Sequence, residues 1–173
     1  AKAFGIERAF LSVVHAYTDQ DRLADVPASD LRLGRAAAEN IIPRVSDAAP
    51  VLDRLLPALA GRLSAAGINV PVADGSAVDL VCWHEREVTV EAVDEALRAA
   101  ANGPLRAVLA YEDQPIVSSD VLRLEVSGVF DAGATMVLGG RASKTLTWFD
   151  NGWGYAYRAI ELLRRLAQFD HPA

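Results

Sequence analysis

The sequence is short of the residues that staple, ligate or anchor. It holds one cysteine, one methionine and three histidines in 173 residues. A single cysteine permits no internal disulfide, which fits a reducing, cytoplasmic compartment, and no metal site is expected. Hydrophobic residues make up 51% of the chain, enough for a real core, yet no uncharged apolar run approaches the roughly 18 residues of a membrane span. Ala1-Lys2-Ala3-Phe4 shows no signal peptide. Basic residues are in deficit, 17 against 23 acidic, for a net charge of −6, which disfavours non-specific nucleic-acid binding. No Gly-x-Gly-x-x-Gly fingerprint occurs, and no internal repeat or low-complexity segment.

What is present is a series of short elements. Phe10, Leu11, Val13 and Val14 form an apolar, β-branched run that suits a strand and ends at His15, with Asp19, Gln20, Asp21 and Arg22 close behind. Such a strand can place an imidazole at the rim of a sheet, facing a cleft. Tyr17–Ala38 reads as a long polar loop. Asp47 is placed to cap a helix over Ala48–Ala60, kinked at Pro57 and stopped by Gly61, with Val51, Leu52, Leu55, Leu56 and Leu59 as its apolar stripe. Leu63–Val70 and Ala77–Trp83 read as strands. Thr89 caps a helix that buries Val90, Val93 and Leu97 and ends at Gly103-Pro104. Short β runs follow at Ala107–Tyr111, Ser127–Ala132, Thr135–Leu138 and Ser143–Phe149, then a helix at Gly154–Gln168. Strands outnumber helices without regular interleaving. That argues an α+β fold, a mixed, largely antiparallel sheet with helices on one face.

Several words in this order are similar to those of phosphorylating glyceraldehyde-3-phosphate dehydrogenases. They are Val14-His15-Ala16-Tyr17-Thr18, Asp30-Leu31-Arg32, Arg35-Ala36-Ala37-Ala38, Asn40-Ile41-Ile42-Pro43, Val78-Asp79-Leu80 and Glu87-Val88-Thr89-Val90. Phe130-Asp131-Ala132-Gly133-Ala134-Thr135 and Trp148-Phe149-Asp150-Asn151-Gly152-Trp153-Gly154-Tyr155 continue the series. The resemblance implies a catalytic domain over 1–153, incomplete at its N-terminus, and a C-terminal helix over 154–173 that packs back on a nucleotide-binding domain. Ala1–Phe4 reads as the tail of a helix with Gly5 as its cap. In the family that helix carries the nucleophilic cysteine in Ser-Cys-Thr-Thr-Asn. Neither that motif nor the Rossmann domain lies in these residues, so a fragment, inactive alone, is expected. The 17–38 loop would reach an adjacent subunit of a homotetramer.

The implied reaction is oxidation of a phosphorylated or otherwise anionic aldehyde, with NAD or NADP taking the hydride and phosphate cleaving a thioester, as in glycolysis. His15 stands where the family keeps the histidine that favours the thiolate and shuttles protons. Thr18 matches a threonine on one phosphate site, and Ser46 stands where the other has threonine. Asn151 matches the asparagine that holds the nicotinamide carboxamide, and Tyr155 the tyrosine packed nearby. Trp148 and Trp153 read as core. Cys82, inside an apolar strand, reads as a buried structural thiol rather than a substitute nucleophile. His84 reads as solvated, and His171 lies in the terminal tail.

The departures concern the phosphates. Asn69 occupies the place of the family arginine that serves them. Asp47 replaces a glycine and brings a negative charge toward an anion. Gln20 replaces an aspartate. Arg44 reads equally as a substitute cation or as a surface arginine. The implied readings are therefore a dehydrogenase with an altered phosphate site, an erythrose-4-phosphate dehydrogenase-like activity, an oxidiser of aldehydes without a phosphate, or a non-catalytic homologue kept for assembly or binding.

Overall fold

A computed structural model describes residues 2–170. Seven strands form one sheet in the order β2-β3-β1-β4-β7-β6-β5. They are β1 (Arg8–Ala16), β2 (Ile42–Val45), β3 (Leu63–Val70), β4 (Ser76–Trp83), β5 (Leu109–Glu112), β6 (Gly128–Leu138) and β7 (Ala142–Phe149). Three helices, α1 (Ala48–Leu55), α2 (Val90–Asn102) and α3 (Trp153–Asp170), complete an α+β domain. The sheet is mixed, as expected. β1 with β3 and β5 with β6 are parallel pairs, and the other neighbours are antiparallel.

β1 is the pivot. Its apolar run extends to Ala16, so His15 is its penultimate residue, paired with Asn69 of β3 and one step beyond the last β4 pair at Val14. β2 was not anticipated. It is four residues long and contains Pro43, which lacks the N–H a central strand needs, and it lies at the sheet edge, where that lack is tolerated. The runs Ser127–Ala132 and Thr135–Leu138 prove to be one strand, β6. Its pairing with β7 slips between Asp131 and Met136, so the break legible in the sequence is a bulge rather than a turn.

Two helix expectations change. Pro57 ends α1 rather than kinking it: the helix stops at Leu55 and Pro57–Leu59 form a separate 3₁₀ turn, in which Leu59 alone is buried. Asp47 makes no capping bond. The Ser46 hydroxyl accepts from the Ala48 N–H instead, at 3.3 Å. α2 forms with the expected bounds and cap, Thr89 Oγ1 accepting from the Ala92 N–H at 3.1 Å. Of the three residues expected to bury, only Val93 does, joined by Ala101, while Val90 and Leu97 are half-buried. Thr89→Ala removes this cap and is expected to cost about 1 kcal/mol. In a thermal melt that is a fall of roughly 2–4 °C in Tm for a chain of this size.

His84 is the clearest miss. It is buried, with Nε2 2.7 Å from Ser143 Oγ and Nδ1 2.9 Å from the Gly5 carbonyl oxygen, and Phe4 lies edge-on to its ring. It joins the opening turn to β7. That opening is a turn over Lys2–Phe4, and Gly5 takes φ +67°, as a helix-ending glycine does. Ala1 and His171 lie outside the described residues. α3 leaves the sheet with Ile160, Leu162, Leu163 and Leu166 exposed, and is held by Arg158 donating to the Ala107 and Glu125 carbonyls.

Candidate active site

Parallel pairing sets His15 beside Asn69 and Val13 beside Gly67. Side chains two apart in a strand share a face, so these four form the floor of one cleft of about 370 Å³. Its walls are the turn after β1, with Thr18 and Asp21, and the segment that runs from β2 into α1, with Arg44, Ser46 and Asp47. Every residue named from the sequence for proton transfer or phosphate contact therefore lines a single space.

The His15 imidazole is half-buried and edge-on to Phe149 at 6.1 Å. Its Nδ1 lies 2.5 Å from the Ala16 carbonyl oxygen, a partner that only accepts, so Nδ1 carries the proton in the neutral ring. Nε2 has no hydrogen-bond partner among the described residues and is the nitrogen available as a base. A second relay begins one residue on. The Ala16 N–H donates to Ser76 Oγ at 2.9 Å, and that hydroxyl donates to Asn151 Oδ1. Ser76 is 1% exposed, so the link is dry. It fixes the Asn151 amide with its oxygen toward Ser76.

Asn151 lines a second, larger cleft of about 730 Å³, which shares Thr18, Asp19 and Asp21 with the first. The turn that carries it is held by Asp150. One carboxylate oxygen accepts from the Gly152 and Trp153 N–H groups at 2.8 and 2.6 Å, the other from the Arg123 N–H at 2.8 Å. Burial by itself pushes this carboxyl up, but the three N–H donors and the Arg123 charge outweigh it and hold it below its ordinary value. Trp153 lines this cleft and is 47% exposed, so it is not core as expected. Trp148 is half-buried, with its indole N–H on Asp131 at 3.0 Å. Tyr155, on α3, is 78% exposed and lines neither cleft.

Asp21 escaped the sequence reading. Its Oδ2 accepts from the Thr18 N–H at 2.8 Å and the Thr18 hydroxyl at 3.1 Å. Its Oδ1 accepts from Asn69 Nδ2 at 2.9 Å and Arg44 Nη1 at 3.0 Å. The side chain is 6% exposed. In sequence it is one charge in a polar run, and only the contact to Thr18 is local. The bonds to Arg44 and Asn69 span 23 and 48 residues.

With this geometry in place, comparison with known proteins is decisive. Residues 1–151 match the family model described as glyceraldehyde 3-phosphate dehydrogenase, C-terminal domain. The chain belongs to that family. It is 45% identical over 164 residues to the glyceraldehyde-3-phosphate dehydrogenase of Geobacillus stearothermophilus, covering 95% of this chain and 49% of the relative. It is 48% identical over 160 residues to glyceraldehyde-3-phosphate dehydrogenase 2 of Streptomyces arenae, covering 92% and 48%. The chain thus spans about half the length of the curated relatives it matches. In this glyceraldehyde 3-phosphate dehydrogenase domain Cys82 is buried in β4, and burial pushes its thiol up. A high-pKa buried thiol is a poor nucleophile. Cys82 in the native domain is therefore expected to resist alkylation at neutral pH and to react fully once unfolded in urea, which mass spectrometry reads directly.

Proposed function

We propose that this domain is the catalytic half of an NAD(P)-dependent, aldehyde-oxidising dehydrogenase. His15 handles the proton, and the cysteine nucleophile comes from polypeptide outside these residues. The supporting observation is convergence: His15, Thr18, Ser46, Asp47 and Asn69, drawn from separate stretches, line one cleft. The dry bridge through Ser76 ties the backbone beside that imidazole to Asn151.

The free Nε2 of His15 is the group that would take a proton from an approaching thiol and return one later, which requires a base open to the cleft. The residues fit a nicotinamide. With Asn151 Oδ1 occupied by Ser76, the Asn151 NH₂ is presented as a donor, which suits a carboxamide oxygen. When bound, NAD(P) supplies the hydride acceptor. Tyr155, exposed one turn along α3, is assigned to the same side of the assembled enzyme. The exposed apolar residues of α3 fit a helix that packs on a nucleotide-binding domain, and the 17–38 loop, with Leu23, Leu31 and Leu33 exposed, fits a contact between subunits of a homotetramer.

The test is aldehyde-dependent reduction of NAD or NADP by the complete enzyme, followed by nicotinamide absorbance, over triose, tetrose and unphosphorylated aldehydes with and without phosphate. Turnover with any of them that is lost in His15→Asn supports the reading. No turnover with all of them rejects it in favour of a domain kept for assembly.

A further inference from the structure

Three of the donors that would meet a phosphate in the His15 cleft, including its guanidinium, are already turned to an anion of the protein itself. A phosphate asks for hydroxyls, amide N–H groups and a guanidinium. The cleft offers the Thr18 hydroxyl, the Asn69 amide and the Arg44 guanidinium, and all three donate to one carboxylate, that of Asp21. With the Thr18 N–H added, Asp21 accepts four hydrogen bonds, which is the full complement of a carboxylate. The remaining hydroxyl, Ser46 Oγ, accepts from the Ala48 N–H and keeps its own O–H. Asp21 is nearly buried, at 6% side-chain exposure, so it does not swing into water at no cost. Asp19 and Asp47 also line the cleft, which sets three carboxylates against one guanidinium.

We propose that the Asp21 carboxylate is a resident anion that takes the place of a substrate phosphate, so that this cleft admits an aldehyde without a phosphate group. This rests on the cleft beside His15 being the aldehyde site, as argued above. A phosphate entering the cleft must break the four bonds to Asp21 or sit against its charge. A neutral hydroxyaldehyde needs neither, because it can donate to Asp19 or Asp47 and accept from water.

The experiment compares glyceraldehyde with glyceraldehyde 3-phosphate as substrates of the complete enzyme, and titrates the enzyme with inorganic phosphate while the Thr18 and Asn69 amide signals are followed by NMR. The expected result is a kcat/KM for glyceraldehyde at least about tenfold above that for the phosphorylated form, in line with the strength of charge-assisted bonds that the phosphate fails to make. No saturable shift at Thr18 or Asn69 is expected. In Asp21→Asn, which keeps the side-chain shape while removing the charge, the phosphorylated aldehyde gains at least about tenfold relative to glyceraldehyde. A wild-type preference for the phosphorylated aldehyde, or saturable phosphate binding at Thr18 and Asn69, overturns the proposal. Absence of turnover with every aldehyde, together with no phosphate binding, rejects the dehydrogenase reading while supporting the exclusion of phosphate from this cleft.

Discussion

Replacing His15 with asparagine in the complete enzyme is expected to lower kcat for aldehyde oxidation by about 10²–10⁴-fold, the usual contribution of a positioned acid–base group. KM should move far less, because the imidazole acts on the reacting centre rather than on the body of the substrate. Asparagine keeps a polar atom able to donate to the Ala16 carbonyl, so the end of β1 and the adjoining Ala16–Ser76–Asn151 bridge should survive. Circular dichroism and a urea melt indistinguishable from wild type would confirm that only chemistry was removed. A second readout is the rate at which iodoacetamide inactivates the enzyme. It should fall in the variant, since a thiol without an imidazole partner holds less thiolate. An unchanged kcat would show that the imidazole is a structural residue satisfied by its carbonyl.

Gly75→Ala is expected to be the most damaging small substitution. Gly75 takes φ +85°, a region where a side chain costs about 1–2 kcal/mol. A Cβ there would also lie 2.9 Å from the Ser118 Cβ and nearer still to the Ser118 carbonyl, a backbone atom with little room to yield. Overpacking of this kind adds about 1–3 kcal/mol, so a loss of roughly 2–5 kcal/mol is expected in urea unfolding. Gly61→Ala is the control. It has φ +73° but nothing within 4 Å of its Cβ, and it should show the conformational cost alone. Gly75 stands between Asp74 and Ser76, and Asp74 accepts from the Asn151 N–H at 3.3 Å. The variant should therefore also weaken nicotinamide binding, whereas Gly61→Ala should not.

The parts of the fold legible in the sequence are those governed by local periodicity and capping. β1, β3, β4 and α2 follow alternation, a Thr cap or a Gly-Pro stop, and their expected bounds agree with the structure to within two residues. β2 was illegible because four residues with a proline carry no period, and its strand character comes wholly from pairing with β3. His84 was misjudged because Glu85 and Arg86 beside it are exposed, while the partners that bury it, Gly5 and Ser143, lie 79 and 59 residues away. In the candidate site, the motifs named His15, Thr18, Ser46 and Asn69, and the structure places them together. The role of Asp21 was hidden for the same reason as that of His84. A buried polar residue is defined by distant donors, and neighbouring letters do not report them.

The His15–Asn69 pairing lies in a parallel ladder, and parallel strands need a crossover to connect them. That crossover, residues 17–62, contains both walls of the cleft. The imidazole is thus rooted in rigid sheet, while the groups that judge what enters, Asn69 apart, belong to one contiguous excursion of chain. Substrate range can drift through changes in that excursion without retuning the acid–base machinery. A laboratory selection for new aldehydes should accordingly accumulate its mutations between Thr18 and Asp47 and leave β1 and β3 intact.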